Sequence, residues 1–169
     1  MYITRYLREN IEDFLVYCNS NYVKTEGQLI LEVGPENIDI KKIFTTSVIE
    51  SIDISSEVKA TYTGNICDMS KLFSDEKFDN IVCTEVFEHV EDPFSAALEL
   101  FRVLKRGGHL FLTVPFNFKI HSNEEYFRFT KSGLKLVFKK FKILEIVDLQ
   151  SKGRPHMPVQ FIFVGRKDK

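Results

Sequence analysis

The chain of 169 residues predicts an α/β fold with a mostly parallel sheet. Three features predict it. Short runs rich in Val, Ile, Leu and Phe recur along the chain, several closed by Gly or Pro, as buried strands are. Apolar residues at helical spacing stand before the first run and between the later ones. The last two runs are separated by only about ten residues around Gly153, Pro155 and Pro158, too few for a crossover helix, so they form a hairpin with one antiparallel strand.

The elements follow in order. Residues 4–18 place Leu7, Ile11, Phe14, Leu15 and Cys18 on one helical stripe. QLILEVG (28–34) predicts the first strand, SVIESIDIS (47–55) the second and ATYTGNI (60–66) the third. FDNIVCTE (78–85) predicts the fourth and HLFLTVP (109–115) the fifth. FKILEIVDL (141–149) and VQFIFVGRK (159–167) complete a set of seven. Asp92 as N-cap and Pro93 at the first position open a helix whose apolar face is Phe94, Ala97, Leu98, Phe101 and Leu104. Gly107-Gly108 supplies a left-handed stop after it. A last helix starts at Thr130, with Leu134, Val137, Phe138 and Phe141 as its stripe.

Composition narrows the function classes. Apolar residues make up 44 % and charged residues 28 %, so the chain has a core to bury and is not disordered. No apolar run reaches the ~18 residues that a membrane span needs, and the charged N-terminus does not read as a secretory signal. Cys18, Cys67 and Cys83 fit neither a disulfide framework nor a metal knuckle, so reduced, buried thiols and a cytoplasmic location are expected. Residues 1–100 carry 8 Lys and Arg against 19 Asp and Glu, whereas residues 101–169 carry 15 against 5. The basic C-terminal third fits an anionic ligand or, equally, a solvated face bearing Lys135, Lys139, Lys140 and Lys142.

Ligands of open α/β sheets bind beyond the carboxyl ends of the strands. In this chain those ends read Glu32-Val33-Gly34-Pro35, Asp53-Ile54, Asn65-Ile66 and Thr84-Glu85. Gly34 lets a ligand approach the backbone. A carboxylate about 20 residues later, here Asp53, accepts from a ribose diol. A polar residue followed by an apolar one, here Asn65-Ile66, hydrogen-bonds an adenine edge and packs on its face. The acidic rim disfavours polyphosphates and suits a ligand that carries an ammonium and a sulfonium.

The segments LILEVG, SIDIS, GNICDM, FDNIVCTEVFEHVEDP, ELFRVLKRGGHLFLTVPF and HSNEEYFRFTKSGLKLVF lie in order over roughly residues 28–141. They resemble a small class I S-adenosylmethionine-dependent methyltransferase of the type 11 group. The resemblance implies a Rossmann-like fold and S-adenosylmethionine as cofactor. It puts Glu32, Gly34, Pro35, Thr84 and Glu85 on the methionine side, Asp53 on the ribose hydroxyls, and Ile54, Asn65 and Ile66 on the adenine. Glu36 and Ile38 stand where the family carries its second and third loop glycines, and the short stretches after the first two strands imply shortened first and second crossover helices. One domain over 1–169 is expected, with an N-terminal helix (1–25), a cofactor-binding half (28–115) and an acceptor-side half (116–169).

Methyl transfer needs alignment first and a general base only where the acceptor loses a proton. His89 and His121 are the candidate bases, and Tyr126 and Arg128 fall in the segment that faces the acceptor in similar proteins. Arg128 either clamps an anionic acceptor or pairs with Glu124 or Glu125. Glu85, Glu88, His89 and His121 resemble the metal constellation of small-RNA 2′-O-methyltransferases and part of the site of quinone-pathway O-methyltransferases, but the same run occurs in relatives without metal, so no metal is expected. The expected function is methylation at oxygen or nitrogen of a small anionic, glycan-, nucleotide- or carrier-linked acceptor. The alternatives are a metal-assisted RNA methyltransferase, disfavoured by the lack of a basic-aromatic tract, and a non-catalytic partner subunit. Oligomerisation is left open.

Overall fold

The computed structural model describes residues 2–35, 38–120, 122–151 and 154–168, with side chains described at 10–35, 38–120, 122–150 and 157–168. The expectations at Leu7, Glu36, His121, Gly153 and Pro155 lie outside these. Seven strands form one sheet: β1 (Leu29–Val33), β2 (Val48–Asp53), β3 (Tyr62–Thr63), β4 (Phe78–Thr84), β5 (Leu104–Pro115), β6 (Lys142–Ser151) and β7 (Arg154–Arg166). Their spatial order is β3-β2-β1-β4-β5-β7-β6. β1 pairs in parallel with both β2 and β4, so the chain first runs outward to β3 and then returns to the other side of β1. That reversal puts a topological switch point between β1 and β4. β7 runs antiparallel to both neighbours, β5 and β6.

Alternation along the strands gives the sheet two buried faces, as the apolar runs require. Leu31, Ile52, Ile81, Cys83, Leu110 and Leu112 share one core with Ala97, Leu100, Leu134 and Phe138 of the helical layer. Ile30, Val82, Phe111 and Val164 share the other with Ile11, Phe14, Leu15 and Cys18 of α1 (Tyr2–Tyr22). Cys18 and Cys83 are buried and Cys67 is only partly so; all three are free thiols. The hydroxyls of Tyr17 and Tyr22 both reach Glu145 of β6, which ties α1 to the C-terminal hairpin. No described helix is long and apolar enough to cross a membrane.

Several boundaries differ from the expected ones. β3 is two residues long rather than 60–66, because Ser51 and Thr61 exchange side-chain-to-backbone bonds (3.0 Å each) where ladder bonds would form. α2 (Pro93–Val103) ends in an extended Leu104, not in a left-handed glycine, and β5 starts at once. Gly107, with φ +79°, lies inside β5, where the pairing with β4 shifts register. The apolar face of α2 is rotated from the expected one: Ala96, Ala97, Leu100 and Val103 are buried while Phe94 and Leu98 stand exposed. The helix at Thr130 follows the sequence: Thr130 Oγ1 accepts from Gly133 N (3.1 Å), α3 spans Lys131–Val137, and all four stripe residues are buried. The first crossover is reduced to a single 3-10 turn, Ile40–Lys42, and among the described residues no helix joins β2 to β3.

Asp92 caps α2 as its sequence position predicts, accepting from Phe94 N (3.1 Å), Ser95 N (3.0 Å) and Ser95 Oγ (2.6 Å). The Ser95 hydroxyl and these amides hold its carboxyl below the usual range. Replacing it with Ala is expected to lower the melting temperature by about 3 °C, the effect of losing one N-cap in a chain of this size. A thermal melt checks this, and an unchanged midpoint would remove the capping role.

Candidate active site

A cleft of about 450 Å³ opens at the switch point. Val33 and Gly34 at the end of β1 form its floor, Asp53 ends β2 with Ile54 after it, and Gly64, Asn65, Ile66 and Cys67 follow β3. The opposite wall is Val86, His89, Val90, Glu91 and Asp92, which follow β4, together with Glu124 and Tyr126. Each strand therefore delivers its terminal residues to one place, as the parallel pairing dictates.

Gly34 is a tight point of the floor. Its φ is +68°, and a Cβ there would stand 2.7 Å from Val86 Cγ2. Only glycine fits both the left-handed backbone and the close approach between the ends of β1 and β4. Asp53 Oδ1 accepts from Ser55 N (2.8 Å), which fixes the carboxylate at the rim with its second oxygen available to a ligand. Ile54 is 73 % exposed, an unusual state for isoleucine and the one expected of a side chain that a flat ring would cover. Asn65 Oδ1 accepts from Cys67 N (2.9 Å), so part of the capacity assigned to an adenine amino group is spent in its own turn; one lone pair and the NH2 remain.

The structure gathers Gly34, Asp53, Ile54, Asn65, Ile66, His89 and Tyr126 on this cleft and leaves Glu32, Pro35, Thr84, Glu85 and Arg128 out of its wall. Glu32 sits half-buried beneath the floor, where burial pushes its carboxyl up to about 7, with Lys41 opposing and Asp39 adding to the shift. Ile38, in place of a loop glycine, packs against the α1-side core and does not fill the cleft. Glu85 adopts φ 55° and points inward, accepting from Thr113 Oγ1 (2.8 Å) and Gln160 Nε2 (2.7 Å). Burial raises its carboxyl above the usual range, opposed by those two donors. Arg128 does not clamp the mouth: its guanidinium pairs with the buried Glu125 and with Phe127 O (3.2 Å). The second of the two readings of Arg128 is the one that the structure shows. Among the described residues no group of three His, Cys, Asp or Glu could hold a metal ion.

The wall that carries His89 is built from two segments stitched together. Tyr126 N and Phe127 N donate to Glu88 O (2.7 and 3.2 Å), and Tyr126 Oη donates to Glu91 Oε1 (3.1 Å). His89 Nδ1 lies 2.5 Å from Glu124 O, so Nδ1 carries the proton and donates to that carbonyl. Under this wall the Glu88 side chain is fully buried, with neither oxygen hydrogen-bonded among the described residues and His89 Nε2 3.7 Å away. Burial, with Glu85 beside it, pushes its carboxyl well up. Sequence reading missed Glu91, Glu124 and Val86 as wall residues. Glu91 lies inside the quoted EHVEDP run, whereas Glu124 reaches the cleft only through the pairing of its segment with residues 88–89.

Comparisons with known proteins agree with this geometry. Residues 37–112 match the family described as "Methyltransferase domain". A ubiquinone biosynthesis O-methyltransferase of Pseudomonas fluorescens is 34 % identical over 64 residues, 38 % of this chain and 25 % of that one. The chain thus spans about a quarter of the length of the curated relatives it matches. A solved structure from Bacillus halodurans C-125, assigned as a methyltransferase, superposes with a TM-score of 0.76 at 14 % identity over 92 % of this chain and 99 % of that one. The 1,6-didemethyltoxoflavin-N1-methyltransferase of Burkholderia thailandensis, solved with its substrate and S-adenosylhomocysteine, gives 0.69 at 13 % identity over 93 % and 77 %. In fold the chain is similar to these methyltransferases, and the family match covers residues 37–112, somewhat less than half of its length.

Proposed function

We propose that the chain transfers a methyl group from S-adenosylmethionine to an oxygen or nitrogen of a small acceptor at the mouth of this cleft. The observation that carries the reading is the convergence of Gly34, Asp53, Ile54, Asn65 and Ile66 on one cavity at the switch point. The residues present fit the cofactor: a floor with no room for a Cβ, a carboxylate for the ribose, an uncovered isoleucine for the ring and an acidic rim for the sulfonium and ammonium. When bound, S-adenosylmethionine supplies an electrophilic methyl carbon on sulfur. The chain's residues hold the reactants in line, which accounts for most of the work in such a displacement. His89 lines the cleft with Nδ1 held on Glu124 O, which fixes its ring in the wall.

The O-methyltransferase relative supports oxygen and the N1-methyltransferase neighbour supports nitrogen. The anionic acceptor inferred from charge counts has little support from the cleft, whose described lining includes neither Lys nor Arg. Calorimetry with S-adenosylhomocysteine is the first test, with micromolar binding expected. Transfer of label from S-adenosyl-[methyl-³H]methionine to an acceptor panel is the second. A protein that melts normally and binds no S-adenosylhomocysteine would overturn the reading in favour of a non-catalytic partner subunit.

A further inference from the structure

The charge of the acceptor is open in the reading above, and the cleft wall bears on it. Four acidic residues line the cavity, Asp53, Glu91, Asp92 and Glu124, of which Asp92 has its carboxylate on the α2 cap, and no Lys or Arg does among its described lining residues. The cations near it are turned elsewhere. Arg128 pairs with Glu125 and Lys131 with Asp148. Arg102, Arg106, Lys140 and Lys167 line a separate groove beside the amino ends of β4 and β5, at the opposite end of the sheet. Among the described residues, then, no basic side chain of the C-terminal third lines the cleft.

The same wall offers a cation more than a diffuse field. The Tyr126 ring is 45 % exposed and lines the cavity, and its hydroxyl is fixed on Glu91 Oε1 at 3.1 Å. An aromatic face beside carboxylates suits an ammonium and gives nothing to an anion. The methyl donor is itself a sulfonium. Two cations share one cleft only where the wall offsets both, and this wall carries the charge to do so.

We propose that the acceptor is an amine that enters the cleft as an ammonium ion. This rests on the methyl-transfer reading and goes beyond it in naming the substrate class. The ammonium first gives a proton to water at the cleft mouth. The nitrogen lone pair then forms the N–C bond to the methyl carbon while the C–S bond breaks, its electron pair passing to sulfur. The products are an N-methylammonium ion and a neutral thioether. The thioether has lost the charge by which the wall held the donor, so the spent nucleoside leaves more readily than the donor.

Benzyltrimethylammonium and benzoate are similar in size and opposite in charge, and they serve as binding probes for the protein loaded with S-adenosylhomocysteine. Calorimetry is expected to give benzyltrimethylammonium at least about ten-fold tighter binding than benzoate at 20 mM KCl, with the preference shrinking at 300 mM. Glu91→Gln combined with Glu124→Gln, with S-adenosylhomocysteine held at saturation, is expected to cut the preference to about three-fold or less. Equal binding of the two probes, or a preference unchanged in the double variant, overturns the amine assignment and leaves methyl transfer standing. Failure of S-adenosylhomocysteine itself to bind overturns methyl transfer and the assignment together.

Discussion

Asp53→Ala is expected to weaken S-adenosylhomocysteine binding on the order of 100-fold or more, because one ionised carboxylate facing a ribose diol makes two charge-assisted hydrogen bonds. The carboxylate is already fixed by Ser55 N, so no ordering is needed when the ligand arrives. Fold stability should change little, since Asp53 is the last residue of β2 and lies at the rim. Asp53→Asn keeps an acceptor for Ser55 N and is expected to fall between the parent and the alanine variant. Calorimetry on both variants beside their melting curves checks this. A dissociation constant for Asp53→Ala within three-fold of the parent would remove Asp53 from the ribose.

Glu88→Gln is expected to stabilise the protein at alkaline pH and to flatten its pH dependence. The Glu88 side chain is fully buried without a hydrogen bond among the described residues, and its carboxyl is raised above the ordinary 4.5. Folded chains therefore hold a proton that unfolded chains release once pH exceeds about 4.5. Folding takes up that proton, so native stability falls as pH rises above 4.5 toward the raised value. Below 4.5 both states are protonated and the penalty vanishes. Glutamine is neutral throughout. With Arg128 offsetting part of the charge, the variant should gain about 2 kcal/mol at pH 8, or roughly 4–8 °C in melting temperature, and nothing at pH 4. Melts at the two pH values decide it; a variant destabilised equally at both would show that Glu88 is a hydrogen-bonded structural group.

The parallel sheet, the hairpin that introduces β7 and the caps at Asp92 and Thr130 were legible because each rests on a local signal: a period, a turn residue, an N-cap. The rotated face of α2 was not. Phe94 and Leu98 satisfy the helical period as well as Ala96 and Leu100 do, and only packing against Ile81 and Leu110 selects between the two faces. β3 shortened because Ser51 and Thr61 offered the backbone a side-chain alternative, a competition that β propensity does not register. At the site, Gly34, Asp53 and Asn65-Ile66 were readable from strand ends alone. Glu85 was not, since its turn inward depends on Thr113 and Gln160, which come 28 and 75 residues later. Arg128 likewise needed the knowledge that Glu125 is buried under it.

The place of β7 has a consequence for how the molecule is made. β7 follows β6 in the chain yet takes an interior position, bonded on both flanks, and among the described strands β6 meets the rest of the sheet only through it. Until about residue 166 emerges, β5 presents a bare edge carrying Leu110 and Leu112, and the tyrosine clasp from α1 has no Glu145 in place to grip. A chain interrupted before β7 would therefore keep that edge open and tend to aggregate.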